Sequence, residues 1–123
     1  MEKFKYQVNN LHPVVVKYYY GPITLQDIFL SWKHAFDHKL IPDGTKGFIL
    51  DYRGGTIDVS IDEYEAIPEF YKRHLDVFGN SKIAVLTESP SDIVIPNLVA
   101  TKDEGFTSRP FSTLEAAYKW VLN

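Results

Sequence analysis

The chain has no cysteine and one methionine in 123 residues. Disulfides, thiolate metal ligands and cysteine nucleophiles are thereby excluded, and a reducing compartment is the natural setting. Charge of one sign is not concentrated either: 13 Lys and Arg are interspersed among 16 Asp and Glu, giving a net charge of -3. A duplex-binding protein needs a basic face that neutralises several phosphates, yet even Lys72, Arg73 and His74 follow Glu63, Glu65 and Glu69. Nucleic acid is therefore not an expected partner. Long apolar runs are missing as well. Those present are broken by Lys17, Asp27, Asp51 or Glu88, far short of the roughly twenty residues a spanning helix requires. Residues 1–8 alternate charged and aromatic side chains instead of forming the apolar core of a signal peptide. These absences lead us to expect a cytoplasmic protein without a membrane span. Nucleophile elbows and dinucleotide fingerprints are lacking, and Gly54-Gly55 does not have phosphate-loop spacing. No catalytic residue, cofactor or enzymatic activity is expected.

What the chain does have is a repeated order. Four times an apolar stretch leads to a hydroxyl residue followed three positions later by an acid: Thr24 to Asp27, Ser60 to Glu63, Ser89 to Asp92 and Ser112 to Glu115. A hydroxyl oxygen caps free amides while the acid sits in the positive first turn, and Glu63 and Glu115 are long enough to close full capping boxes. The runs before them, 13–20, 47–52, 82–87 and 106–111, read as strands. Gly47 to Tyr52 is apolar on both faces, as a central parallel strand should be. Residues 3–8 alternate, and Asn9-Asn10 is a turn signal, so an amino-terminal hairpin is expected. Strand followed by helix, repeated within one chain of this length, predicts a single α/β domain over 1–123.

The helical faces follow the same logic. Leu25, Ile28, Phe29, Trp32 and Phe36 make one stripe, with Gln26, Lys33 and Asp37 opposite. Ile61, Tyr64, Ile67, Tyr71, Leu75 and Phe78 make the next, ended by Gly79 and Asn80 as a left-handed stop. Pro68 lies inside it and predicts a kink, or a short helix followed by a second. Pro90 suits a first helical position, and Pro96 limits the helix that follows. The closing helix, Thr113 to Leu122, buries Leu114, Ala117, Tyr118 and Val121.

The run Gly47-Phe-Ile-Leu-Asp51-Tyr-Arg53-Gly54, the capped helix at Ser60, Lys82 to Thr87 with Ser89-Pro90, and the ending Phe111-Ser-Thr-Leu-Glu-Ala-Ala-Tyr-Lys-Trp120 together resemble the SpoIIAA-like proteins. These share their fold with STAS domains of anti-sigma-factor antagonists and, more distantly, with CRAL-TRIO lipid-transfer domains. The resemblance implies a four- or five-stranded, mostly parallel mixed sheet with an amino-terminal β-hairpin and about four helices. It also implies a non-enzymatic protein-interaction module with a protein partner, or self-association, and leaves small-ligand or lipid binding as the alternative.

In the antagonists, a Ser or Thr at the helix start after the central strand is phosphorylated, which ends partner binding. By position that residue resembles Ser60, with Asp58 two before it. The family's Asp-Ser-Ser/Thr-Gly reads Asp58-Val59-Ser60-Ile61 here, and an N-cap closed by Glu63 explains Ser60 on its own. The second candidate is the crevice at the carboxyl ends of the parallel strands, where open α/β sheets bind ligands, lined by Asp51, Arg53, Gly54, Thr87, Glu88 and Ser89. Its structural counterpart is an Asp51–Arg53 ion pair in an ordinary polar loop. His34 and His38, at i and i+4, have ligand-like spacing but no third ligand in the sequence pattern, so no metal site is expected. Of Tyr18, Tyr19 and Tyr20, alternate rings must point to opposite sheet faces, which exposes one or two of them unless helices cover both sides.

Overall fold

The computed structural model describes residues 3–8 and 12–123. The strands are β1 (Phe4–Val8), β2 (Val14–Thr24), β3 (Gly47–Asp58), β4 (Lys82–Leu86) and β5 (Thr107–Phe111). The helices are α1 (Leu25–Asp37), α2 (Ala66–Arg73), α3 (Leu75–Phe78), α4 (Val94–Ala100) and α5 (Leu114–Val121), with 3-10 turns at Ile61–Glu63 and Pro90–Ile93. Spatial order follows chain order, with β1 antiparallel to β2 and the remaining pairs parallel. The expected hairpin is present as the β1–β2 ladder; its Asn9-Asn10 turn lies outside the described residues.

Parallel strands added in sequence by crossovers of one hand put every crossover helix on the same face. Residues of α1, α2, α3 and α4 accordingly pack with Val15, Tyr19, Phe48, Leu50 and Ile83. The other face, with Val14, Val16, Ile49 and Ala84, is left to α5 through Ala117 and Val121. An eight-residue helix is about 12 Å long, too short for five strands spaced about 4.8 Å apart. Tyr19 is buried under α1, Tyr18 on the opposite face is half-buried, and Tyr20 is 41% exposed.

The capping signals divide. Thr24 and Asp27 form the complete reciprocal box: Asp27 N donates to Thr24 Oγ1 (3.2 Å) and Thr24 N to Asp27 Oδ2 (2.9 Å). At the last helix the cap is Thr113, whose Oγ1 accepts from Ala116 N (3.2 Å), and not Ser112. Two adjacent hydroxyls offer alternative starts, and the extended backbone of Thr113 decides between them. Pro68 splits the second helical stripe into the 3-10 turn and α2, where it occupies the third helical position. Its missing N–H falls among those that lack intrahelical partners anyway. The stop after α3 comes from Asn80 alone (φ 60°), since Gly79 has φ -59°. Glycine is needed at 79 for a different reason: a Cβ there would lie 2.5 Å from the Leu75 carbonyl oxygen.

Candidate functional site

β4 ends at Leu86, opposite Asp51, whereas the β2–β3 ladder runs on to Thr24 and Asp58. Both strands are longer than their apolar runs because pairing continues through Gly21-Pro22 and Gly54-Gly55. Residues 52–58 thus form half of a two-stranded parallel ribbon beyond the sheet. Within it Tyr52 and Arg53 stand opposite the single Tyr19, a β-bulge. The glycines allow the close approach this requires: a Cβ on Gly55 would lie 2.7 Å from the Gly21 carbonyl oxygen, and one on Gly54 3.1 Å from the Tyr20 ring.

A strand that outruns its neighbour presents unpaired amides. Two of these are met by carboxylates. Asp51 Oδ1 accepts from Arg53 N (2.9 Å), and Asp92 Oδ1 accepts from Ile57 N (3.0 Å). Asp51 also receives the Arg53 guanidinium, Nε to Oδ1 (3.1 Å) and Nη2 to Oδ2 (2.8 Å). This carboxylate is buried at 3% exposure on the face opposite Leu50 and Tyr52. The bidentate pair holds the Arg53 pKa above its usual value. Asp92 sits in the first turn after Ser89, as its spacing requires. It reaches back to the ribbon from a buried position, while Ser89 Oγ lies 2.8 Å from Ser91 Oγ.

Asp58 ends the ribbon opposite Thr24, and exposed Ser60 follows. Glu63 Oε1 accepts from Ser60 N (3.0 Å), while Glu63 N donates to the Ser60 carbonyl (3.1 Å). Beside it Ile61 is 63% exposed. Thr87 is buried and donates its amide to the Phe111 carbonyl (3.0 Å). Gly54 is part of the bulge. Asp51, Arg53 and Gly54 are thus gathered at the bulge, Ser60 sits at the ribbon tip, and Thr87 and Ser89 follow β4. Asp103 accepts from Ser108 N (2.6 Å) and Ser108 Oγ (2.8 Å), and its partial burial raises its pKa. His34 and His38 lie side by side on the exposed side of α1, their rings tilted by 31° with centroids 4.3 Å apart. Among the described residues no three His, Asp or Glu side chains gather as a metal site.

One residue the sequence treats as a mere interruption is the most unusual in the protein. Lys17 alternates with Val15 and Tyr19 on the α1 face and is completely buried. Its Nζ donates to Ser31 Oγ and lies 3.7 Å from the Trp32 ring centroid, 4.7 Å from that of Tyr19 and 5.3 Å from that of Tyr6. Burial alone pulls its pKa well below the ordinary lysine value. The inward phase of Lys17 between two core residues was the signal that could have revealed it.

No protein-family model and no curated protein matches the chain. Among solved structures, an uncharacterised DUF3478-family protein from Shewanella loihica PV-4, described as having a SpoIIAA-like fold, superimposes with a TM-score of 0.62. The chains are 12% identical, and the match covers 96% of this chain and 91% of that one. The chain has a SpoIIAA-like fold. At that identity the likeness is one of architecture. Within the SpoIIAA-like frame, the five-stranded mixed sheet and amino-terminal hairpin are as the sequence resemblance implies, with five helices where about four were expected. No described helix is long and apolar enough to cross a membrane.

Proposed function

We propose that this SpoIIAA-like chain is a non-enzymatic, cytoplasmic interaction module that meets a protein partner through its Asp51–Glu63 segment. The observation carrying this reading is Ile61, 63% exposed on a turn that Ser60 and Glu63 hold in place. A large apolar side chain kept in water by an ordered turn suits an interface anchor, since its ordering is completed before binding. The ribbon behind it is stiffened by the Asp51 and Asp92 carboxylates. Phosphate on Ser60 would place nearly two negative charges beside that anchor and act as a switch.

The test is quantitative capture of partners from the protein's own cells on wild-type, Ile61→Asp, Ser60→Asp and Ser60→Ala baits, each checked for folding. Loss of a co-purifying protein on Ile61→Asp and Ser60→Asp, with retention on Ser60→Ala, is expected. Equal recovery on all four baits would sink the reading.

The alternative, a small-ligand or lipid-binding module, draws on an apolar cavity of about 30 Å³ between α1, α2, α4 and the sheet, lined by Leu50, Tyr52, Ile67, Tyr71 and Ile95 among others. That is room for about one water, so a larger guest requires the walls to move. A hydrophobic compound that raises the melting temperature would support this alternative, and failure across a panel of such compounds would remove it.

A further inference from the structure

Lys17 carries an inference independent of the ribbon. Lysine is almost never fully buried without an opposite charge, yet among the described residues no carboxylate bonds Lys17, and its hydrogen-bond partner is the neutral Ser31 hydroxyl. Ser31 Oγ is itself committed, donating to the Ile28 carbonyl (2.7 Å) and lying 3.4 Å from Tyr19 OH. The enclosure closes on the outer side with β1, a five-residue edge strand whose backbone ladder is with β2 alone among the described residues. Tyr6, directly opposite Lys17 in that ladder, lays its ring toward the amine and donates its hydroxyl to the Ser31 carbonyl (2.7 Å). An edge strand is the element most readily opened, because its loss breaks one ladder.

We propose that β1 is a proton-linked lid: closed over Lys17 as a free amine, and opened when that amine takes up a proton and must be hydrated. Closing expels one proton, and opening binds one.

The other ionisable or polar groups facing this region are few. From β1 comes Tyr6, and from just before it Lys3, paired with Asp27 at 3.0 Å. From β2 comes Tyr19. From α1 come Asp27, Ser31 and the exposed His34, whose ring meets Phe4 at 5.4 Å. Tyr52 and Tyr71 stand behind, stacked on Tyr19 and edge-on to Trp32. Burial keeps all four tyrosines protonated throughout the neutral range. His34 is the one histidine against β1 among the described residues.

Amide hydrogen exchange between pH 5 and 9 tests the lid, on wild type, Lys17→Met and His34→Gln. For a lid releasing one proton on closing, the protection factors of β1 amides should fall about tenfold for each unit of acidification, while staying well below those of β4 amides, which exchange only when the whole fold opens. His34→Gln should keep that slope and Lys17→Met should abolish it. A β1 protection factor independent of pH, or a slope that survives in Lys17→Met, would overturn the proposal. Should Lys17→Met fail to fold, the ¹⁵Nζ shift of Lys17 in the wild type decides: an ammonium shift at pH 8 in the closed state contradicts the lid, and an amine shift sustains it.

Discussion

Asp51 and Lys17 are buried charged residues on adjacent strands, yet their surroundings are opposite. Asp51 lies on the α5 face at the strand ends, and its two oxygens receive a backbone amide and a bidentate guanidinium. Lys17 lies on the α1 face among rings, with one hydroxyl for its amine. The first is a compensated charge that ties down a bulge. The second holds its place by neutrality, enclosed by Trp32 and Tyr19 with no carboxylate bonded to it among the described residues. Burial of a charge therefore carries no fixed meaning, and the partners decide whether it is a lock or a point of weakness.

Substitutions can break or sharpen this contrast. The largest effect is expected from Trp32→Ala, which removes the wall of the lysine enclosure and a fully buried indole, and should cost about 4 kcal/mol in urea unfolding. Next is Arg53→Met. It leaves Asp51 without its opposite charge and should cost about 3 kcal/mol, near the low end for a broken buried pair because Arg53 itself is 38% exposed. Lys17→Met should act in the other direction, stabilising the protein by about 1 kcal/mol at pH 7 by replacing a desolvated amine with a thioether of similar length.

The sign of the pH dependence follows from the lowered Lys17 pKa. Between that value and about 10.4, where lysine titrates in the unfolded chain, the unfolded state binds more protons, so stability rises with pH. The advantage of Lys17→Met should shrink toward pH 10. Above about 10 the buried tyrosines, whose folded pKa values are raised, reverse the trend as their unfolded counterparts ionise. A Lys17→Met advantage that grows with pH would contradict this assignment. The smallest effect should come from Thr24→Ala, which removes a half-buried cap and should cost about 1 kcal/mol without altering either buried charge, as read by thermal melts across the same pH range.

The elements were legible where one periodicity ruled. The stripe Ile28, Trp32 and Phe36, the doubly buried run from Gly47 to Tyr52 and the helix start at Thr24–Asp27 all stand as their patterns require. What escaped the pattern was set by distant partners. Asp92 sits three residues after a serine, as a capping acid would, but its partner is an amide 35 residues earlier in the chain. The extra length of β2 and β3 rests on Gly21, Gly54 and Gly55, which read locally as loop and serve as the floor of a bulge. Of the site, the Asp51–Arg53 pair was legible because i and i+2 share a strand face, though the bulge sharpens the geometry. Lys17 was hidden because a lysine in a strand ordinarily marks the wet side.

The strand order also bears on how the chain is made. Because each strand pairs with the one before it, the sheet can grow as the nascent polypeptide emerges from the ribosome, with its crossover helices already on one side. The other side, carrying Val14, Val16, Ile49 and Ala84, stays bare until α5 is synthesised after the last strand. During that interval the protein is half a sandwich with a sticky surface, and the translation time between β2 and α5 sets how long that surface is open to misassembly.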